Sequence, residues 1–95
     1  MNLAELRSFK PQIMEVASKY GVNEIKVFGS VARGDNDENS DIDLLIDKFE
    51  GSIFKFATFK NSVEDLLHTK VDIVQIDVVK NPLRKRYILE DAVNL

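Results

Sequence analysis

Asp41 and Asp43 stand one residue apart, about a dozen positions after a Gly29-Ser30 pair, and a third aspartate, Asp72, lies alone in a later apolar run. On a β-strand, residues i and i+2 point to the same face, roughly 6.5 Å apart. The two carboxylates therefore converge. Phosphoryl and nucleotidyl transfer uses two divalent cations roughly 3.5–4 Å apart, and a cluster of hard carboxylate oxygens supplies such a site.

The elements that must position these residues are legible on either side. Ile25 to Phe28 reads as an apolar strand running into a small-residue turn, followed by an acidic polar loop and a second strand. In that second strand Ile42, Leu44 and Ile46 face away from Asp41 and Asp43. Gly29 lets the backbone approach a ligand closely, and Ser30 places a hydroxyl where a short helix begins, whose free N–H groups attract a triphosphate. Asp72 belongs to Val71-Asp72-Ile73-Val74-Gln75-Ile76, a β-branched segment that reads as a central strand. An ionised carboxylate buried there costs several kcal/mol unless a cation or donor meets it, which implies a partner for Asp72.

Together these residues resemble the nucleotidyltransferase superfamily that includes DNA polymerase beta, with its Gly-Ser turn, Asp-x-Asp strand and later single carboxylate. The likeness is greatest to the minimal nucleotidyltransferases, the antitoxins of HEPN/MNT toxin–antitoxin pairs. It is carried by Lys19-Tyr20-Gly21-Val22, by Ser40-Asp41-Ile42-Asp43-Leu44-Leu45, by Val71-Asp72-Ile73-Val74 and by Lys80-Asn81-Pro82-Leu83. It implies the polymerase-beta-like fold and transfer of AMP from ATP with Mg²⁺, two ions being expected. Asp41, Asp43 and Asp72 are the implied catalytic and metal-binding residues. Gly29 and Ser30 are then expected at the triphosphate; Arg33, one turn beyond Ser30, reads either as a further triphosphate contact, the favoured reading, or as an exposed helix-end residue. The implied acceptor is a tyrosine hydroxyl of a HEPN ribonuclease toxin, which AMP silences. Two other readings stand beside it: a nucleotide-binding subunit of a two-component enzyme modifying a small molecule, and an antitoxin acting by contact alone.

At 95 residues with 44% hydrophobic content the chain suffices for one domain with a modest core, residues 1–95. The absence of cysteine excludes disulfides and thiolate metal sites, and neither a continuous apolar leader nor a membrane-length run occurs. A cytoplasmic location is expected. A formal charge of −3 argues against direct binding to nucleic-acid phosphates. The charge is unevenly spread, with six acidic residues and no basic one in Asp35–Asp47 and four basic residues, Lys80, Arg84, Lys85 and Arg86, in a segment with no acid. That basic segment is open to three readings: a solvated face, a steering surface for triphosphate, or a dock for a partner.

Asn2 to Tyr20 has helical spacing, interrupted at Pro11, with Gly21 as its stop. Strands are expected at about 24–28, 42–47 and 71–77, and helices at about 53–68, capped by Ser52, and from Asn81-Pro82 to near Asp91. Phe56, Phe59, Val63 and Leu66 form a stripe expected in the core. The fold class is α/β, a small mixed sheet with helices packed on one face. Gly29-x4-Gly34 lacks the lysine of a P-loop, and the Asp35 loop has Ser40 and Ile46 where a calcium-binding EF-hand needs glycine and glutamate. His68 is expected as a helix-terminal charge.

Overall fold

Pro11 divides the amino-terminal helical stretch because it cannot sit inside a continuous helix. In the computed structural model, which describes residues 1–95, α1 (Leu3–Ser8) ends at Phe9 and α2 (Lys10–Lys19) begins one residue before the proline, which occupies its first turn. Asn2 and Glu5 close a reciprocal capping box on α1. Gly21, at φ +75°, follows the end of α2 in the left-handed conformation expected of a helix stop.

The rest of the chain alternates strands and helices: β1 (Lys26–Phe28), α3 (Gly29–Arg33), β2 (Ile42–Ile46), α4 (Ile53–Leu67), β3 (Val71–Gln75), a 3-10 turn (Ile76–Val78), α5 (Pro82–Asp91) and β4 (Val93–Asn94). The sheet order is β3-β2-β1-β4. β1 runs antiparallel to β2 and β4, while β2 and β3 are parallel and joined by the α4 crossover. The mixed sheet is as expected. β4 is an addition, tied down by the Arg7 guanidinium donating to the Asn94 carbonyl at 2.7 Å and by the buried Leu95.

Alternation along each strand builds two apolar layers. Val27, Leu44 and Ile73 enter the larger core with Leu6, Ile13 and Ala17 of α1 and α2 and Phe59 and Val63 of α4. Their neighbours Phe28, Leu45 and Val74 turn to the other face and meet Ile88 of α5 in a smaller cluster. The main helical layer thus covers one face, as expected, whereas α5 crosses the other, where no helix was expected. Every buried residue is apolar, so any chemistry must happen at an edge or in a cleft. Each fully buried side chain contributes about 1.5–3 kcal/mol relative to exposure.

The phenylalanine stripe of α4 is core. Phe59 is fully buried and Phe56 half-buried, and Phe49 stacks on the first at 5.9 Å and meets the second edge-on at 5.2 Å. The last buried position is Leu67 instead of Leu66. No helix is long and apolar enough to cross a membrane.

The place of β3 also differs from the expectation. β3 is an edge strand, not a central one. Its apolar sequence has another cause: Val71 and Ile73 enter one core cluster and Val74 the other, so both faces are covered although one edge is free.

Candidate active site

Parallel pairing of β2 with β3 sets Asp43 directly beside Asp72, and antiparallel pairing with β1 sets Asp43 opposite Phe28, the residue before Gly29. Adjacent strands lie about 4.8 Å apart, so two carboxylates in register on one face are near neighbours. Asp41, just ahead of β2, shares their face by the period of two. That face is the one α5 crosses, since Leu45 and Val74, two residues on from Asp43 and Asp72, belong to the smaller cluster.

Burial differs among the three. Asp41 and Asp72 are exposed and Asp43 is half-buried. The expected desolvation of Asp72 does not occur: its side chain is exposed on the edge strand, and the desolvated carboxylate is Asp43. Burial, then the negative charges of Asp72 and Asp41, raise the Asp43 carboxyl above the ordinary range, with Arg33 opposing. Three mutually repelling carboxylates on one face favour a positive charge among them.

Gly29 fixes this arrangement. It sits at φ +73°, and a Cβ built there would collide with the Asp43 carboxylate, lying 3.1 Å from its Cγ. The turn thus closes onto Asp43, and only glycine allows both the backbone conformation and the approach. α3 starts at this glycine with no side chain capping its first turn, which leaves N–H groups of Ser30 and its neighbours free of a side-chain partner. Ser30 is half-buried at the second position.

Arg33 ends α3 and is already engaged. Its Nε donates to Asp35 at 3.1 Å and its Nη1 to Asp91 of α5 at 2.7 Å. Those hydrogen bonds, Asp35 first, raise its pKa further. Asp91, half-buried, was not legible from sequence as part of the site: it lies 58 residues from Arg33, and no local pattern joins them. Arg33 and Gly29 form one side of a cleft whose other side is α5.

The acidic loop holds itself together through Asp37, whose Oδ1 accepts from the Asn39 amide and the Ser40 hydroxyl at 2.8 and 3.2 Å. Its charge is therefore partly spent on local structure. In the basic segment all four side chains are exposed; Arg86 pairs with Glu90 at 2.9 Å and Arg84 faces the cleft. His68 terminates α4 at φ +53°, a left-handed position that histidine tolerates better than most residues.

The donor set suits Mg²⁺: all the candidate ligands are hard carboxylate oxygens, and a cation would relieve the repulsion from Asp72 and Asp41 that adds to burial in raising Asp43. No three acidic or imidazole side chains are drawn up at metal-ligand spacing, so the cluster is registered by the strands without being a closed cage.

Residues 11–95 match the family described as Polymerase beta, Nucleotidyltransferase. A Methanocaldococcus jannaschii relative, named as a candidate protein adenylyltransferase, is 42% identical over 89 residues, covering 93% of this chain and 88% of its own. The protein adenylyltransferase MntA of Thermococcus cleftensis is 39% identical over 77 residues, covering 80% of this chain and 78% of its own. A solved structure of a candidate minimal nucleotidyltransferase superposes with a TM-score of 0.83 at 35% identity, spanning 100% of this chain and 97% of that one. A toxin–antitoxin crystal structure with AMP-PNP shares the fold, with a TM-score of 0.71 at 18% identity over 88% of this chain and 69% of that one. With the match running from Lys10's neighbour Pro11 to the last residue, and the Gly29 turn set against in-register carboxylates, the chain belongs to the polymerase beta nucleotidyltransferase family.

Proposed function

We propose that this chain transfers AMP from ATP to a hydroxyl of a partner protein, with a tyrosine of a HEPN-type ribonuclease toxin as the acceptor, and thereby acts as an antitoxin. The observation that carries the reading is the register: Asp43 lies beside Asp72 on parallel strands, and the Gly29 turn presses on Asp43. Support for a protein acceptor comes from relatives named protein adenylyltransferase and from the shared fold of a toxin–antitoxin structure. The exposure of Asp72 supports it too, because a carboxylate on a free sheet edge is open to a second macromolecule.

Asp41, Asp43 and Asp72 would hold Mg²⁺, two ions, which when bound neutralises triphosphate charge and lowers the pKa of the acceptor hydroxyl. Gly29 and Ser30 receive the β- and γ-phosphates at uncapped backbone N–H groups, which leaves the α-phosphorus toward the carboxylates. Arg33, at the far end of the same short helix, lends positive charge to that flank. The acceptor oxygen bonds to the α-phosphorus as the α–β bridging bond breaks and pyrophosphate leaves. The Asp72 carboxylate accepts the hydroxyl proton. The AMP then adds bulk and negative charge to the toxin where RNA phosphates must enter.

Incubating the purified partner with this chain, ATP and Mg²⁺ is expected to give an AMP adduct on a tyrosine by mass spectrometry, and none when chelator replaces the metal. Inhibition of the toxin without an adduct would instead make the chain an antitoxin acting by contact. Asp72→Asn is expected to lower kcat by about 10²–10⁴-fold, the range for a lost general base, with nucleotide affinity little changed. Loss of ATP binding with turnover retained at saturation would misplace that role.

A further inference from the structure

Helix α5 buries one residue of its ten, Ile88. Leu83 and Tyr87, one helical turn apart on the same face, are 57% and 59% exposed. Adjacent on one face, they form an apolar patch that a ligand or partner would cover. Their surroundings say which. Leu83 and Tyr87 line a cleft of about 390 Å³ floored by the buried Phe28 and Ile88, and its opposite wall is Gly29 and Arg33. The apolar wall and the phosphate-facing turn therefore border one space, of a size that small-ligand sites commonly have.

A nucleotide has the matching chemistry: a flat base with apolar faces, joined through ribose to the charged chain that Gly29 would receive. We infer that this cleft takes the base and ribose of the nucleotide, with the Tyr87 ring as the surface on which the base stacks and Leu83 beside it. The inference rests on the nucleotidyltransferase reading of the site and adds to it the residues that hold the non-phosphate half. It also divides the basic segment. Arg84 lines the cleft and forms no ion pair, so its charge is free to offset the repulsion that three carboxylates exert on a polyphosphate. Lys85 and Arg86 do not line it. Tyr20, the other tyrosine, is packed against Phe49 and Phe59 and has no part in the cleft.

Calorimetry with two probes, AMP-PNP and inorganic tripolyphosphate, each with Mg²⁺, tests the placement on the full chain. Tyr87→Ala is expected to weaken AMP-PNP about tenfold or more, as lost base–aromatic stacking does, and to leave tripolyphosphate affinity unchanged. Tyr87→Phe, which keeps the ring, should restore most of the loss. Leu83→Ala should act in the same direction and serves if Tyr87→Ala does not fold. An unaltered AMP-PNP affinity in the alanine variants, or an equal loss for both probes, overturns the base placement while leaving the phosphate site standing. Wild-type chain that binds neither probe overturns the nucleotidyltransferase reading along with it.

Discussion

Replacing Asp41 and Asp43 together by alanine is expected to reduce adenylyl transfer by about 10³-fold or more, the scale on which groups acting as a unit fail, and to raise thermal stability in chelator at neutral pH. The loss follows from removing two of three carboxylates that would hold the metal. The gain follows from Asp43, whose ionised form is disfavoured by partial burial and by the charges of Asp72 and Asp41. A carboxyl that the fold pushes toward its neutral form costs stability when it must ionise, so its removal helps the fold. Neither aspartate contributes a side-chain hydrogen bond or ion pair that the fold would miss. A transfer assay beside a circular dichroism melt checks both halves. Full activity in a native-like double variant would sink the metal assignment, and a lower melting temperature would mean that the carboxylates do structural work.

The carboxylate cluster was legible in the sequence for a local reason. Strand alternation leaves few reasons for charge on an otherwise apolar segment, so Asp41-x-Asp43 and Asp72 stood out against Ile42, Leu44, Ile73 and Val74. Pro11, Gly21, Ser52 and Asn81-Pro82 act through local backbone chemistry, and each marks a helix boundary within a residue or so. Features that depend on distant partners were not legible. β4 is two residues long, too short for a period of two to show, and it pairs with β1 across most of the chain. The edge position of β3 was hidden because core on both faces gives edge and central strands the same composition. The place of α5 over the face that carries the three carboxylates rests on a single buried residue and on the Arg33–Asp91 pair. Its hydrophobic residues point partly to a cleft and partly to solvent, so they carry no clean helical stripe.

Gly29→Ala is expected to cost more in activity than in stability, and its cause can be separated from simple backbone strain. Alanine at φ +73° costs about 1–2 kcal/mol whatever surrounds it. The added methyl would also overlap the Asp43 carboxylate, whose Cγ and Cβ stand 3.1 and 3.4 Å from it. Relief requires Asp43 to swing away, which breaks its alignment with Asp72. Transfer should then fall by about 10²-fold or more, since misplacement of roughly 1 Å costs that much. In an Asp43→Ala background the carboxylate is gone and only the conformational cost of the alanine remains. A double-mutant cycle read by thermal or urea unfolding should therefore show coupling: Gly29→Ala destabilises the wild-type chain more than the Asp43→Ala chain. Equal destabilisation in the two backgrounds would mean that the glycine serves the turn alone, and that the contact with Asp43 places no constraint on the carboxylate.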